Sequence, residues 1–119
     1  MGNAQVKGNG NFVSEMRELS KFKAIEIAIG YDKILVNCGE EPSLHISGDE
    51  NILPLITTRI SKGILKIESD STFETNSDSE MIIYVKSIKD FTFDGVGKTV
   101  IHNLNEDKFN CNINGVGSC

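Results

Sequence analysis

Residues 91–119, FTFDGVGKTVIHNLNEDKFNCNINGVGSC, contain the pattern that decides the fold. The phrase FDGVG at residues 93–97 returns as INGVG at residues 113–117, a spacing of 20 residues. Strands of a hairpin meander recur every 8 to 12 residues or so, and most helical repeats are longer than about 30. The spacing instead favours a coil of parallel strands, in which each turn stacks on the one before it.

Stacked turns place equivalent residues one strand spacing apart, about 4.8 Å. The repeat therefore predicts four ladder pairs: Phe91 over Cys111, Phe93 over Ile113, Asp94 over Asn114, and Val96 over Val116. Glycines are expected at the corners because they accept a positive φ, and AIGYDKI at residues 28–34 is a fainter copy of the phrase. The predicted corner glycines are Gly30, Gly95, Gly97, Gly115 and Gly117. A right-handed coil is expected, as for parallel crossovers in general.

Short β-type segments occupy most of the remaining chain. They lie at residues 23–29, 33–37, 43–47, 63–69, 81–86, 91–93, 98–102 and 109–113. Only residues 49–54 favour a short helical turn, with Asp49 able to cap it and Pro54 able to end it. The predicted core comprises Ile25, Ile27, Leu35, Leu44, Ile46, Leu65, Ile67, Ile83, Val85, Phe93, Cys111 and Ile113. The fold class is thus all-β, a right-handed parallel β-helix-like solenoid.

Length and charge narrow the function classes. The chain has 119 residues and a net charge of -5, with 39% hydrophobic and 24% charged residues. These values fit one globular domain, and the acidic balance disfavours nucleic acid and anionic membranes as partners. No apolar run approaches the roughly 18 residues of a membrane span, and the N-terminus lacks the apolar middle of a secretory signal.

Two segments differ from the strand-rich remainder. Residues 1–10 are rich in Gly and Asn and are expected to be flexible, which leaves residues 11–119 as a single solenoid domain. Residues 68–80, ESDSTFETNSDSE, carry five acids and no base, and we interpret them as a solvated loop. Calcium binding is the alternative, but the segment lacks the Gly and the terminal Glu of an EF-hand loop.

Candidate catalytic and cofactor motifs are weak. GVGKT at residues 95–99 resembles the end of a phosphate loop, but Thr92 stands where such a loop needs its first Gly. His45 and His102 each alternate with apolar residues, as outward residues of a strand do. The three cysteines form no CxxC pair, so neither a zinc site nor a dense disulfide framework is expected. The sequence predicts no cofactor, metal or catalytic residue.

A family resemblance rests on residues 22–67. These run from Phe22 and Ile25 through the turn at residues 30–32, the strand ILV at residues 34–36 and Gly39 to residues 49–54 and GILKI at residues 63–67. The order and spacing resemble the putative auto-transporter adhesin head GIN domain family. Tyr31-Asp32 stands where that family has Ile-Asn. The resemblance implies a parallel β-helix-like fold. It also implies an exported bacterial protein, located in the periplasm, on the cell surface or outside the cell. Family members continue through further rungs beyond the point where this chain stops.

The leading functional hypothesis is a non-catalytic module that presents a regular face to a protein or a glycan. An enzyme acting on polysaccharide, with carboxylates on one solenoid face, is the first alternative, and a purely structural domain is the second. The last rung, residues 109–119, is β-rich and poor in charge, so self-association through this rung is expected. Cys119 is the candidate for an intermolecular disulfide. The alternatives are that residues 103–119 fray or that FVSEMREL near the N-terminus folds over that end.

Overall fold

The computed structural model describes residues 5–75, 78–104 and 109–116, with side chains as far as residue 114. Strands form most of it, and one 3-10 helix, Leu53–Leu55, interrupts them. The strands are β1 (Val6–Lys7), β2 (Phe12–Glu18), β3 (Ala24–Ile27), β4 (Lys33–Cys38), β5 (Ser43–Asp49), β6 (Ile56–Ser61), β7 (Ile64–Ser69), β8 (Phe73–Glu74), β9 (Glu80–Val85), β10 (Asp90–Val96), β11 (Lys98–His102) and β12 (Asn110–Val116). The all-β prediction is confirmed.

All eight β-type segments predicted from the sequence are strands. The sequence missed β1, β2, β6 and β8. Strand β2 reads FVSEMRE and is mostly exposed, so it lacks the run of Ile and Val that marks the others. Strands β1 and β8 are only two residues long, and they pair with each other within segments that were predicted to be flexible or loop.

Two five-stranded sheets and one two-stranded sheet make up the fold. Sheet I has the order β12-β10-β3-β7-β6, sheet II has the order β11-β4-β9-β5-β2, and β1 pairs with β8. In sheet I the pairs β12–β10, β10–β3 and β3–β7 are parallel. In sheet II the pairs β11–β4 and β4–β9 are parallel. Antiparallel pairing adds β5 and β2 to sheet II and β6 to sheet I.

The 20-residue repeat pairs in the predicted register. Strands β10 and β12 are parallel, with Phe91 opposite Cys111, Phe93 opposite Ile113, Asp94 opposite Asn114 and Val96 opposite Val116. Gly95 pairs with Gly115 as predicted. Gly117 lies outside the described residues, so its predicted stacking on Gly97 stays a prediction.

The continuous parallel coil is the part of the fold prediction that the topology does not support. Strand β10 pairs with β3 and not with β7, although β7 is the strand of sheet I that precedes β10 in the chain. Residues between β4 and β7 leave the coil to form β5 and β6, which pair antiparallel with β9 and β7. A repeat of 20 residues reports only the stacking of two neighbouring turns, so it carries no information about this detour. The sheets are therefore mixed.

The inward residues of sheets I and II form one hydrophobic cluster. Nine predicted core residues are buried: Ile25, Ile27, Leu44, Ile46, Leu65, Ile67, Ile83, Val85 and Phe93. Leu35 is a wrong prediction, because Ile34, Val36 and Cys38 point inward and Leu35 points the other way. Cys111 and Ile113 are only half-buried because β12 is an edge strand. Cys111 is also disulfide-bonded.

Of the predicted corner glycines, Gly95 and Gly97 are needed for close backbone approach, and Gly30, Gly95 and Gly97 lack the positive φ that the sequence suggested. Among the described glycines, positive φ occurs at Gly10, Gly39 and Gly63. A Cβ added to Gly97 would lie 1.8 Å from the carbonyl oxygen of Tyr31, and one added to Gly95 would lie 2.7 Å from that of Ile29. The corner between β10 and β11 therefore packs directly on the corner between β3 and β4.

The helical turn begins later than predicted. It comprises Leu53–Leu55, with Pro54 in its first turn, where the missing N–H costs nothing. Pro54 thus helps to start the turn, and no side chain caps it. Asp49 is buried, and its carboxylate accepts a hydrogen bond of 2.9 Å from the Gly10 amide. At the other end of the turn, the Arg17 guanidinium donates to the carbonyl oxygens of Leu53 and Ile56 at 3.1 and 2.8 Å.

Candidate binding face

The outer face of sheet II carries a row of side chains that crosses all five strands. The strand registers join Val100 to Leu35, Leu35 to Ile82, Ile82 to His45, and His45 to Met16. We call these five residues the central row. With strands about 4.8 Å apart, the row is about 19 Å long.

The central row is apolar and open to solvent. Met16 is 61% exposed and Val100 is 37% exposed, at the two ends of the row. Leu35 and Ile82 between them are half-buried, and His45 is exposed. Isolated apolar side chains on a surface are ordinary, but a contiguous row is not. This row is therefore the main candidate for a binding site.

An aromatic contact holds one part of the face in place. The rings of His45 and Tyr84 meet edge to face, with centroids 5.2 Å apart and planes at 73°. Tyr84 lies on β9 in the row next to the central row, opposite Ser43 and Asn37. Edge-to-face pairs fix the relative orientation of the two rings. Tyr84 thereby extends the apolar surface beyond the central row.

Polar rows border the central row on both sides. One consists of Lys98, Lys33, Glu80, Ser47 and Ser14, and the other of His102, Asn37, Tyr84, Ser43 and Glu18. The Ser14 and Ser47 hydroxyls lie 3.0 Å apart, and Asn103 donates to the Asn37 side-chain oxygen at 3.2 Å. A shallow cavity of about 180 Å³ opens at the β11 end and is lined by Lys33, Leu35, Glu80, Lys98, Val100 and His102. An apolar centre with a polar rim is typical of protein interfaces.

Tyr31 supports this face from below. Its side chain is 1% exposed, and its hydroxyl donates a 2.9 Å hydrogen bond to the carbonyl oxygen of Ser47 on β5. Burial raises the pKa of the Tyr31 phenol from 10.0 to about 12, because the phenolate would lose its hydration. The corner that differs from the family signature thus anchors a strand of sheet II.

The outer face of sheet I is different in character. Its middle row consists of Asn112, Thr92, Glu26, Lys66 and Arg59. Arg59 pairs with Glu68 at 3.2 Å, and Asn110 donates to Asp90 at 3.0 Å. Asn112, Glu26 and Arg59 of the middle row are exposed, so this face resembles an ordinary solvated surface.

The sequence-predicted site residues are only partly brought together. Gly30, Gly95 and Gly97 meet at one corner, and Gly115 lies on β12. Cys119 and Gly117 lie outside the described residues. The two histidines are exposed, as predicted, and both face outward on sheet II in neighbouring rows. The central row itself was missed, although the parity of Lys33, Leu35 and Asn37 was a usable signal for it.

Metal and membrane features can be stated for the described part of the chain. There, no three His, Cys, Asp or Glu side chains lie together in a way that could hold a metal ion. Within the same residues, no helix has the length and apolar character needed to cross a bilayer.

An all-β framework of mixed sheets with one apolar outer face defines a class of small β-sheet modules. The chain belongs to the family described as putative auto-transporter adhesin, head GIN domain, whose model matches residues 21–119. The resemblance seen in the sequence is confirmed. No curated protein matches this chain.

Solved structures share the fold at low sequence identity. A putative adhesin from Bacteroides fragilis matches with a TM-score of 0.82 and 20% identity, over 94% of this chain and 53% of that one. A putative adhesin from Parabacteroides merdae has a TM-score of 0.77 and 21% identity, over 92% and 46%. A putative lipid binding protein from Parabacteroides distasonis has a TM-score of 0.78 and 20% identity, over 92% and 49%. This chain spans about half the length of these structures.

Proposed function

We propose that this protein is a non-catalytic, adhesin-like module of the bacterial periplasm or surface that binds a partner protein through the outer face of sheet II. The observation that carries the proposal is the central row, whose ends, Met16 and Val100, are 61% and 37% exposed. Contiguous exposed apolar surface reduces solubility and usually marks an interaction site.

A protein partner fits the face better than a glycan does. Sugar rings stack on aromatic rings that lie flat and exposed, whereas Tyr84 is half-buried and meets His45 edge to face. The central row contributes aliphatic and thioether surface, which packs well against the apolar side chains of another protein. The Lys and Glu side chains of the bordering row would then supply the polar rim and the orientation.

An exported location is supported by the family and by one covalent feature. The family description places such domains in the head of auto-transporter adhesins. Cys111 is disulfide-bonded. Disulfides persist in the periplasm and outside the cell and are rare in the cytosol.

Catalysis on polysaccharide has little support on this face. Glycosidases need two carboxyl groups between about 5 and 10 Å apart on either side of the scissile bond. Among the described residues that line the cavity at the β11 end, Glu80 is the single carboxylate, and Lys33 and Lys98 line it as well. A lone carboxylate among lysines suits ion pairing with a partner better than acid–base catalysis.

Self-association through the C-terminal rung is part of the proposal. Strand β12 lies at the edge of sheet I, beyond β10, and its side chains at Asn110, Asn112 and Asn114 are exposed. An unblocked edge strand can pair with a second copy. Strand β2, by contrast, covers the β5 edge of sheet II, so it does not provide the alternative cover for β12. Light scattering over a concentration series, with reductant present, should show a dimer that Asn112→Lys returns to monomer, and a strict monomer at every concentration would contradict this part.

The binding face is tested by site-specific photo-crosslinking in the bacterium that makes the protein. A benzophenone amino acid is placed at Met16 on the central row or, as the matched control, at Glu26 in the middle row of sheet I. Both positions are exposed and lie on regular strands. We expect a discrete protein adduct from position 16, and weaker or no adduct from position 26.

A second substitution separates docking from chance proximity. Ile82→Ser removes apolar surface from the centre of the row but leaves the cross-linker at position 16 in place. The adduct should then weaken several-fold. An adduct of equal yield from positions 16 and 26, or one that is insensitive to Ile82→Ser, would contradict the proposal, as would glycan-only adducts.

A further inference from the structure

A second concave site lies where three loops meet at the starts of β3, β7 and β10. The cavity measures about 480 Å³, and its lining includes Lys21, Lys23, Lys62 and Lys86, with Phe22 and Pro42 as apolar wall. We call it the lysine pocket. Lys21 and Lys23 precede β3, Lys62 forms the turn before β7, and Lys86 follows β9. None of these residues belongs to the central row or its borders.

Backbone hydrogen bonds hold the three loops together. The Lys23 amide donates to the Gly63 carbonyl oxygen at 2.7 Å, and the Lys89 amide donates to the Lys23 carbonyl oxygen at 2.7 Å. The Gly39 amide donates to the Lys86 carbonyl oxygen at 2.9 Å. The lysine-bearing loops therefore stack in the same way as the strands they lead into, which brings the backbones that carry the lysines together at one end of the fold.

The charge of this pocket is opposite to that of the whole chain. The protein carries a net charge of -5 with only 12 Lys and Arg residues, and the pocket gathers four of them. Glu41 approaches Lys86 at 3.2 Å, but the two side chains are 85% and 63% exposed. An ion pair so open to water is weak, and another anion can easily displace Glu41 from Lys86. Like charges brought together in this way call for a multivalent counter-charge.

Backbone strain at Lys62 is a second, independent observation. Lys62 and Gly63 form the two-residue turn between β6 and β7, with φ of 52° and 76°. Such turns strongly favour Asn or Asp before the Gly, because a long side chain fits the left-handed region poorly. Lysine at this position lowers the stability of the turn, and strained backbone of this kind is frequent at ligand-binding sites.

We propose that the lysine pocket binds a phosphate group carried by a small organic molecule. Ammonium groups are compact point charges with donors in several directions, which suits a phosphate with its several equivalent oxygens. A phosphate monoester carries a charge of about -1.5 to -2 at neutral pH, which several lysines can share. Phe22, itself 5% exposed, and Pro42 offer the apolar wall against which the organic part lies. The phosphate comes either from a soluble ester or from the headgroup of a phospholipid.

The test is a titration followed by backbone amide NMR on the full chain. The probes are inorganic phosphate and glycerol 3-phosphate, with sodium chloride at matched ionic strength as the reference. We expect saturable shifts at Lys23, Gly63 and Ser87, with glycerol 3-phosphate binding at least as tightly as phosphate. Shifts that are linear in concentration, or equal in chloride, mean that there is no site and overturn the proposal.

Lys62→Asn is the decisive variant. It removes one cation and at the same time supplies the residue that the turn prefers, so binding of glycerol 3-phosphate should weaken about threefold to tenfold while the midpoint of urea unfolding rises. Lys66→Gln, which changes the net charge equally but lies on the outer face of sheet I, is the matched control and should leave binding unchanged. If both variants weakened the binding of glycerol 3-phosphate equally, the effect would come from the overall charge of the protein, and the proposal would be overturned.

Vesicles distinguish the two sources of phosphate. Neutral phosphatidylcholine vesicles are compared with the same vesicles containing phosphatidic acid, by co-sedimentation of the wild type and of Lys62→Asn. Stronger retention on phosphatidic acid that Lys62→Asn reduces would identify a lipid headgroup. Binding of glycerol 3-phosphate without any retention would identify a soluble ester. Retention that Lys62→Asn leaves unchanged would contradict a role for this pocket.

Discussion

The outer faces of sheets I and II are built on the same alternation of inward and outward residues, yet they carry different chemistry. The middle row of sheet I reads Asn, Thr, Glu, Lys and Arg, whereas the corresponding row of sheet II reads Val, Leu, Ile, His and Met. Solubility alone would favour the first composition on both faces. This difference is the basis of the proposal that the outer face of sheet II contacts another molecule.

The inner faces, in contrast, should be equivalent. Phe93 of sheet I and Ile83 of sheet II are both fully buried in the one hydrophobic cluster. We expect Phe93→Ala to lower the free energy of unfolding by about 3 to 5 kcal/mol and Ile83→Ala by about 2 to 5 kcal/mol. Urea denaturation with both variants measures this. A loss below about 1 kcal/mol for Phe93→Ala would show that the core does not pass beneath sheet I.

Neighbouring residues of β4 give the sharpest test of which side faces out. Ile34 is 1% exposed, while Leu35 is half-buried on the central row. Ile34→Ala should lower the free energy of unfolding by about 2 to 5 kcal/mol, and Leu35→Ala by clearly less, about 1 kcal/mol. Urea denaturation measures both losses of unfolding free energy. A larger loss for Leu35→Ala than for Ile34→Ala would mean that β4 presents its opposite face to the core.

Alkaline pH should weaken the support beneath sheet II. The pKa of Tyr31 is raised from 10.0 to about 12 by burial, so the unfolded chain loses this proton before the folded one does. Stability that is fully present below pH 10 should therefore fall between pH 10 and 12, by up to about 2 to 3 kcal/mol from this group. Tyr31→Phe removes the titrating group, so urea unfolding across that range should show a shallower decline than in the wild type. Parallel declines in the two proteins would contradict the assignment.

The smallest expected change in stability comes from the exposed end of the central row. Met16→Ser removes a side chain that is 61% exposed. The free energy of unfolding should move by no more than about 0.5 kcal/mol, because little buried surface is lost. Glu26→Ser on sheet I is the matched control. Stability loss well beyond that value at Met16 would mean that the residue packs within this chain and is not available to a partner.

Local features of the sequence predicted local structure well. Alternating Ile and Val identified eight strands, and the GVG repeat fixed the register of β10 on β12 residue by residue. The position of β10 beside β3 has a weaker signal, the fainter copy of the phrase at residues 28–34, which lies at the corner after β3. The consecutive Ile34, Leu35 and Val36 hid the phase of β4, although the polar residues Lys33 and Asn37 share the parity of Leu35.

The two candidate sites illustrate the same limit. The central row draws one residue from each of five strands, and those residues become neighbours only through the strand order. The lysines of the lysine pocket come from three separate loops, so no run of basic residues in the sequence predicts the pocket. The corner glycines were easier to identify from the sequence than either site. The reason for glycine at Gly95 and Gly97, the close approach of stacked backbones, is visible only in the folded chain.

The orientation of the central row is tested most directly by methyl NMR with a soluble nitroxide. The nitroxide broadens methyl signals that solvent can reach, so the central row is compared with the buried Ile34, Val36 and Ile83. For the outward orientation of the central row, we expect strong broadening of Met16 and Val100, intermediate broadening of Leu35 and Ile82, and little broadening of the buried set. Protection of Leu35 and Ile82 together with broadening of Ile34 and Val36 would contradict it, since the apolar face of sheet II would then lie inside the protein.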